Sequence, residues 1–382
     1  MKGEKKGSPY RTLVKISILL AVLTLVCWVA VEAIHFYTKN ALDQKVSEVT
    51  EANKKLETDY LLAKSEYESL TRTGQSRSWP EVPQEGVCFL DLSTYPLENA
   101  TNQTVTRAAL FEGGMILVNH WHPLPADFEI ATANIKSVRE WTSSRVPISS
   151  NAVHLYQAPA LAIDEMIRDA KLEGFEHYIA QSAYRDNETQ QKLFDDKIAS
   201  IQRNNTKITG DALIAEALKT VNQPGTSEYQ SGLAAEIKLY NKDDAAMTSA
   251  TFQTTPQGIW FTENCWKYGL VFRFPTAGFP NAQTVDKTYK TGVSAKLNCY
   301  RYVGVAHSTA MRILGNLCLE EYIEYLIETP HFAIFDNGKL KYEIFRQPYE
   351  GGDAVVQVPQ AATRFVSSMD NMGGVITAFY YE

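Results

Sequence analysis

An apolar run near the N-terminus constrains this chain more than any other feature. Between Ile16 and Val31 only Ser17 and Thr24 interrupt the apolar residues. Apolar neighbours on both sides extend the run toward the roughly 20 residues that a helix needs to cross a bilayer. The sequence therefore predicts a transmembrane helix over residues 16–36.

The charges around this run predict its orientation. Residues 1–15 carry five basic side chains and one acidic side chain, and Glu32 follows the run. Because Lys and Arg collect on the cytoplasmic side, we expect residues 1–15 to form a cytoplasmic basic tail. The chain would then be a single-pass protein of the cell membrane with an extracytoplasmic C-terminal domain. A cleaved signal peptide is the alternative, since Val31-Glu-Ala33 resembles a small-residue cleavage site.

The composition of the remaining chain is that of a globular protein that does not bind nucleic acid. Of the 382 residues, 45% are apolar and 11% are aromatic, which is an ordinary globular content. The net charge is -7, and because the basic tail carries +4, the remainder carries -11. Phosphate binding depends on clustered Lys and Arg, so we expect no nucleic acid partner.

Four cysteines lie outside the apolar run, at Cys88, Cys265, Cys299 and Cys318. Four cysteines allow three pairings, and the sequence does not choose among them. So few in so long a domain do not indicate a disulfide scaffold, and free, buried thiols are equally open.

A heptad pattern follows the apolar run. Core positions recur at alternating steps of four and three from Leu42 to Leu70, which predicts a coiled-coil stalk over residues 40–71. Asn53 occupies a core position, where a buried amide pair favours a parallel homodimer through residues 42–70. Two tyrosines and an alanine weaken this seam, so a single amphipathic spacer helix is the alternative.

Composition also divides the rest of the chain. Residues 72–86 contain two glycines and two prolines among polar residues, and predict a linker. Residues 87–328 alternate between helical and strand patterns, which is typical of an α+β domain. Residues 329–382 are rich in strand patterns, with Asp336-Asn-Gly338 as a hairpin signal, and predict a β-rich C-terminal appendage.

Apolar periodicity places elements within the α+β domain. Apolar residues at helical spacing predict helices over residues 160–171, 188–203 and 211–220. Shorter apolar runs predict strands over residues 178–184, 233–239 and 270–274.

Two motifs in this domain carry chemical information. They are Pro224-Gly-Thr-Ser-Glu-Tyr-Gln-Ser-Gly-Leu-Ala-Ala-Glu236 and Lys296-Leu-Asn-Cys-Tyr-Arg-Tyr-Val-Gly304. They resemble the motifs of zinc-dependent D-alanyl-D-alanine carboxypeptidases of the VanY type, S-x-H-x-x-G-x-A-x-D and E-x-W-H-Y-R-Y-V-G. Further segments match in the same order across roughly residues 114 to 326. The resemblance implies a carboxypeptidase-like mixed domain with a small central antiparallel sheet.

The positions that carry the chemistry of that family all differ in this chain. The resemblance places Tyr229 and Cys299 at two zinc histidines, Glu236 at the zinc aspartate, and Lys296 at the general-base glutamate. A phenol with a pKa of about 10 is a poor zinc ligand, and a lysine cannot accept a proton from zinc-bound water. We therefore expect no catalytic residue and no cofactor. If zinc does bind, Tyr229, Glu236 and Cys299 would hold it.

Anion recognition is the chemistry that the motifs retain. Arg185 lies in a matching Ser182-Ala-Tyr-Arg185 segment, and a guanidinium binds a terminal carboxylate through two hydrogen bonds. A structural ion pair is an equally open role for Arg185. The predicted substrate-binding residues are Arg185, Gln190, Ser227, Lys296, Tyr300 and Arg301.

Two other chemistries are weaker hypotheses. Cys299 could be a nucleophile, since Lys296 and Arg301 are cationic neighbours in sequence, but a small buried residue is the favoured interpretation. His120-Trp-His122 could form a metal pair, but without further ligands a surface loop is favoured.

These features together predict a membrane-anchored cell-envelope protein whose carboxypeptidase-like domain has lost metal hydrolysis. Its expected role is to bind peptidoglycan stem peptides or to scaffold a complex with another envelope protein. An active zinc D,D-carboxypeptidase that trims terminal D-alanine is the main alternative. An oligomerisation anchor with a vestigial groove is the third possibility.

Overall fold

The computed structural model describes residues 9–72 and 86–381, which belong to two units, an N-terminal helix and a folded domain. Helix α1 spans Pro9–Arg72. Its segment Leu13–Ser47 has a mean hydropathy of 2.5 in its most apolar window and is long and apolar enough to cross a membrane. The helix predicted over residues 16–36 lies within that segment. A signal sequence would have the same length and composition, so the retained anchor and its sidedness stay predictions.

The predicted stalk is helical where the structure describes it. The described side chains of α1 are exposed, as expected of a helix that leaves its apolar face uncovered in a single copy of the chain. Most of the seam, from Asn53 to Leu70, lies outside the described side chains, and the linker from residue 73 to 85 lies outside the described residues. The coiled coil and the homodimer therefore stay predictions.

The folded domain mixes helices and strands. Its helices are α2 Arg107–Glu112, α3 Val138–Thr142, α4 Gln157–Leu172, α5 Asn187–Asn204, α6 Gly210–Leu218, α7 Ala245–Ser249, α8 Pro256–Asn264, α9 Thr288–Thr291, α10 Val305–Ile313 and α11 Leu319–Glu328. Its strands are β1 Val87–Asp91, β2 Ala100–Val105, β3 Lys136–Ser137, β4 His154–Leu155, β5 Tyr178–Ser182, β6 Ala234–Leu239, β7 Leu270–Phe272, β8 Cys299–Tyr302, β9 His331–Asp336, β10 Lys339–Pro348, β11 Ala354–Pro359, β12 Arg364–Met369 and β13 Gly374–Tyr380. This confirms the α+β class.

A four-stranded antiparallel sheet forms the middle of the domain, in the order β5-β6-β8-β7. The register sets Glu236 opposite Ser182 on one side and Cys299 on the other. Residues from both motifs are therefore neighbours on β6 and β8. The predicted small central antiparallel sheet is confirmed.

Helix α4 covers one face of this sheet. Its residues Ala160, Ile163, Met166 and Ala170 recur at steps of three and four and are buried in the same apolar cluster as Tyr300 of the sheet. An apolar stripe at this spacing is what anchors a helix to a core. The packing fixes the sheet that carries the site.

The C-terminal strands form a second sheet together with the start of the domain. The order of this sheet is β1-β9-β10-β13-β12, and β2 pairs with β11 in a separate ladder. Residues 87–105 thus pair with strands from the 329–382 segment. The boundary at residue 328 stays a prediction about domain organisation, and the strands on its two sides share buried apolar clusters.

The cysteines carry free thiols within the described residues. Cys265, Cys299 and Cys318 are buried, whereas Cys88 is exposed. Of the possibilities that the sequence left open, the structure has free thiols and no disulfide among residues 86–381.

Candidate functional site

A cavity of about 200 Å³ lies beside the β6 strand. The residues of interest on its wall are Arg185, Gln190, Ser227, Glu228, Tyr229 and Glu236. The apolar part of its wall includes Phe274, Val293 and Leu297. The first motif and the Arg185 segment therefore meet at one site, as the sequence predicted for a substrate cavity.

A short 3-10 turn, Glu228–Ser231, positions the motif residues before β6 begins. The turn ends at Gly232, whose φ of 72° lies in the left-handed region that glycine adopts without strain. A Cβ at this position would lie 2.7 Å from Ile135 Cδ1 and 3.0 Å from Tyr156 Cε2. Glycine is therefore required here, both for the turn and for the close packing behind it.

Tyr229 and Cys299 form a hydrogen-bonded pair in the position of the two zinc histidines. The Tyr229 hydroxyl donates to the Cys299 sulfur. Burial raises the pKa of Tyr229 well above its usual value, and the neighbouring Cys299 and Glu236 raise it further. Burial also raises the pKa of Cys299 to about 12. Both side chains are therefore neutral at physiological pH.

This donor set does not fit a catalytic zinc. Zinc binds thiolate and carboxylate, so ligands with raised pKa values must lose protons against their burial. Glu236 Oε1 lies 3.4 Å from the ammonium of Lys238 rather than facing a free site. Within residues 86–381, no three His, Cys, Asp or Glu side chains are grouped so that they could hold a metal ion. The raised pKa of Cys299 also argues against its use as a nucleophile.

Arg185 is held at the cavity by neutral partners. Its Nη1 donates to Gln190 Oε1 at 3.4 Å and its Nη2 donates to Ser182 Oγ at 3.2 Å. Its backbone N–H donates to the Tyr229 carbonyl at 3.1 Å. Among the residues that the structure describes, no carboxylate forms a salt bridge with Arg185, so the alternative role as a structural ion pair is not observed.

Gln190 and Ser227 complete the polar wall. Gln190 is buried and its Nε2 donates to the Asn222 carbonyl at 2.7 Å, which turns Oε1 toward Arg185. Ser227 is buried and precedes the turn that carries Tyr229. Their position agrees with the predicted substrate-binding set, and their role there stays a prediction.

Three predicted substrate-binding residues lie away from the cavity wall. Lys296 is exposed, and its Nζ lies 5.7 Å from the centroid of the Phe279 ring. Tyr300 is 0% exposed, and its hydroxyl lies 2.8 Å from Thr262 Oγ1 within an aromatic core. Arg301 is also 0% exposed. The assignment of these three residues to substrate contact is corrected, because motif spacing does not report side-chain depth.

Arg301 instead belongs to a buried ion network that the sequence did not reveal. Its Nη1 contacts Glu228, and its Nη2 donates to the carbonyls of Gly114 and Ile116 at 2.8 Å and 2.9 Å. Arg273 Nε donates to Glu228 Oε2 at 2.6 Å. Burial raises the pKa of Glu228, but the charges of Arg301 and Arg273 outweigh it and hold that pKa below the usual value.

Arg273 extends this network to Glu320 of α11. Its Nη1 and Nη2 donate to the two Glu320 oxygens at 3.0 Å and 2.7 Å, which is a bidentate pair. The available signal was that both residues lie in segments that match the family scaffold. Their pairing across 47 positions of sequence could not be deduced from either segment alone.

The two histidines near residue 120 do not form the suggested metal pair. His122 Nδ1 lies 2.9 Å from Asn119 Oδ1, and the His120 ring packs against the Trp121 ring at 5.7 Å. Burial lowers the pKa of His122, although Glu320 and Glu324 oppose this effect. The favoured interpretation as a loop is consistent with this arrangement.

Comparison with known proteins gives matches over most of the folded domain. The family described as VanY, D-alanyl-D-alanine carboxypeptidase, matches residues 152–305. A D-alanyl-D-alanine carboxypeptidase of Enterococcus faecium is 30% identical over 284 residues, which are 74% of this chain and 80% of that protein.

Solved structures give the same assignment of fold. The vancomycin resistance D,D-dipeptidase VanXYg, in complex with a D-Ala-D-Ala phosphinate analog, aligns with a TM-score of 0.55 and 20% identity, over 74% of this chain and 99% of that chain. A VanY mutant from a VanB-type resistance cassette, in complex with Zn(II), is 29% identical with a TM-score of 0.41, over 56% of this chain and 99% of that chain. Sequence identity over most of the length of the Enterococcus faecium protein, together with the matching family motifs, shows that this chain belongs to the VanY family of D-alanyl-D-alanine carboxypeptidases.

Proposed function

We propose that this protein is anchored in the cell membrane and uses its VanY-type domain to bind the C-terminal carboxylate of peptidoglycan stem peptides without hydrolysing them. The observation that carries the proposal is the environment of Arg185. Its guanidinium lies beside the cavity with neutral partners, Gln190, Ser182 and the Tyr229 ring. A cation held in this way is available to an anionic ligand.

The recognition step follows from the charge and hydrogen-bonding capacity of this group. A guanidinium and a carboxylate form two parallel charge-assisted hydrogen bonds, and desolvation in a cavity strengthens them. The Gln190 carbonyl oxygen and the Ser182 hydroxyl already orient Arg185. Little side-chain entropy is then lost when the peptide binds.

The absence of cleavage rests on the residues that replace the metal machinery. Hydrolysis needs an activated water and a group that accepts its proton. Tyr229 and Cys299 hydrogen-bond to each other, and the lysine at the general-base position, Lys296, is exposed against Phe279. These side chains offer neither a metal site nor a nearby carboxylate base in the matching position.

An active metallocarboxypeptidase is the rival function, and the similarity to the Enterococcus faecium D-alanyl-D-alanine carboxypeptidase favours it. In that case Tyr229, Glu236 and Cys299 would have to release protons and rearrange around zinc. The two functions differ in zinc content and in D-alanine release.

The N-terminal helix supplies the proposed location. The segment Leu13–Ser47 would hold the domain at the outer face of the membrane, with residues 1–15 in the cytoplasm. A homodimer through residues 42–70 would present two domains together, and could scaffold an envelope complex. If the protein acts only as such an anchor, Arg185→Ala will leave its function unchanged, whereas charged substitutions at Leu42 and Val46 will not.

The test uses the full chain purified in detergent. We expect less than a stoichiometric amount of zinc by metal analysis and no D-alanine release from a muramyl pentapeptide that ends in D-alanyl-D-alanine. Calorimetry should detect binding of that peptide, weakened about tenfold or more by Arg185→Ala, since a charged hydrogen bond contributes roughly 1.5–3 kcal/mol. Arg168→Ala, which removes an exposed arginine, is the matched control and should bind normally.

Two results would contradict the proposal. Stoichiometric zinc with D-alanine release that Cys299→Ala abolishes would establish the rival enzyme. Equal peptide affinity in the wild-type chain and in Arg185→Ala would remove the proposed carboxylate site.

A further inference from the structure

A second cavity of about 180 Å³ lies near the first. The residues on its wall that matter here are Leu117, Trp121, His122, Tyr289, Ile323 and Met372. Most of these side chains are apolar, whereas hydrogen-bonding groups dominate the Arg185 side of the first cavity. The two cavities therefore suit different parts of a ligand.

Two exposed aromatic side chains stand at this cavity. Trp121 is 54% exposed and Tyr289 is 67% exposed. The Trp121 backbone N–H donates to Asn119 Oδ1 at 3.0 Å, and its ring packs so closely on Gly292 that a Cβ there would lie 3.3 Å away. Large apolar groups that are held in place and still exposed are typical of ligand contacts.

The charges around the second cavity are balanced within the described residues. Lys290 Nζ lies 2.6 Å from Glu324 Oε2, and Arg273 neutralises Glu320. His122, with its lowered pKa, is neutral at physiological pH. A balanced, largely apolar cavity suits an aliphatic group rather than a free ion.

A single guanidinium connects the walls of the two cavities. Glu228 belongs to the first wall and Glu320 to the second, and Arg273 bonds to them at 2.6 Å and 2.7 Å. The two carboxylates are therefore on the order of 8 Å apart, because one planar guanidinium separates them. The α9 segment also joins the cavities, since Tyr289 lines the second and Val293 the first.

We propose that the second cavity receives the long aliphatic side chain of the residue two positions before the C-terminus of the bound peptide. This inference rests on the proposed function, in which Arg185 holds the C-terminal carboxylate. An extended peptide advances about 3.3–3.6 Å per residue, so two residues span roughly 7 Å. Side chains two positions apart also point to the same face of an extended chain. Trp121 and Tyr289 thus select the ligand by the length of this side chain.

The experiment compares N-acetyl tripeptides that end in D-Ala-D-Ala and differ only in the first residue, which is alanine, norvaline, norleucine or acetyl-lysine. Affinity for the full chain in detergent is measured by calorimetry. We expect a gain of about two- to fourfold for each added methylene, the size expected when a CH₂ group is partly or fully buried. Trp121→Ala and Tyr289→Ala should flatten this gradient, and Tyr240→Ala, which removes an exposed tyrosine elsewhere, should preserve it.

A second series lengthens the neighbouring residue, one position before the C-terminus, and should show no such gradient. The proposal is overturned if both series give the same gradient, or if Trp121→Ala and Tyr289→Ala both leave the first gradient unchanged. Arg185→Ala tests the proposed function separately, because it should weaken every peptide by the same factor. If it weakens none, the carboxylate site is wrong, and the gradient still decides the role of the second cavity. No binding of any peptide by the wild-type chain overturns both.

Discussion

The guanidinium carbon of Arg185 lies 4.1 Å from the centroid of the Tyr229 ring. The backbone of Arg185 also donates to the Tyr229 carbonyl. The residue at the position of the first zinc histidine thus positions a cation, where the family uses that position to bind a metal. The ring, rather than the hydroxyl, makes this contact.

Substitutions at Tyr229 should separate these two groups. Tyr229→Phe keeps the ring beneath Arg185 and should bind a peptide ending in D-Ala-D-Ala within about twofold of the wild type. Tyr229→Ala removes a cation–π contact of roughly 0.5–2 kcal/mol and should weaken binding about three- to thirtyfold. Calorimetry measures both affinities. Equal losses in the two variants would show that the hydroxyl is the important group.

The cysteines should differ in reactivity. Burial raises the pKa of Cys299 to about 12, so very little thiolate forms at pH 8, whereas Cys88 is exposed. Iodoacetamide should therefore modify Cys88 and leave Cys299 intact until the protein is unfolded. Peptide mass spectrometry measures the two rates. Comparable rates in the native protein would contradict the buried Tyr229–Cys299 pair.

Glu228 should be a determinant of stability. Glu228→Gln leaves the buried cation of Arg301 without its carboxylate, and breaking a buried pair in this way costs about 3–5 kcal/mol of unfolding free energy. Glu216→Gln breaks an exposed pair with Lys219 and should cost under about 1 kcal/mol. Urea unfolding measures both variants. A small effect of Glu228→Gln would mean that the network adjusts around the lost charge.

His307 should make the protein less stable in acid. Burial lowers its pKa to about 3, below the value of about 6.5 in the unfolded chain. Between these pH values the unfolded state binds the extra proton, so the contribution of His307 to stability falls as pH falls, by up to about 1.4 kcal/mol per pH unit. His307→Phe keeps an aromatic ring beside Tyr322 and removes the titration.

The measurement is the urea unfolding free energy of both proteins at pH 4, 5, 6 and 7. We expect the wild type to lose more stability than His307→Phe between pH 6 and pH 4. Parallel pH profiles would show that His307 does not titrate between the two states.

Local elements of the domain could be predicted from the sequence because their patterns are local. The helix predicted over residues 160–171 is observed as Gln157–Leu172, and the helix over residues 188–203 as Asn187–Asn204. Both carry an apolar stripe against a core. The strand predicted over residues 178–184 ends at Ser182, because a loop then leads into the next helix.

The candidate site was predictable only in part. Tyr229, Glu236 and Cys299 come together because the two motifs lie around neighbouring antiparallel strands, and motif matching captures this. Tyr300 was misplaced because adjacent strand residues point to opposite faces, and both faces of β8 are buried. The Arg273–Glu320 pair depends on tertiary packing, which single motifs do not encode.

The pairing of β1 with β9 has a consequence for how the protein can be shortened. The family match ends at residue 305, yet Phe332 and Ile376 pack in the same apolar cluster as Val303. A fragment cut at residues 152 and 305 would retain the peptide cavity and expose that cluster to water. Recombinant fragments intended for binding assays should therefore begin before Val87 and extend through Tyr380.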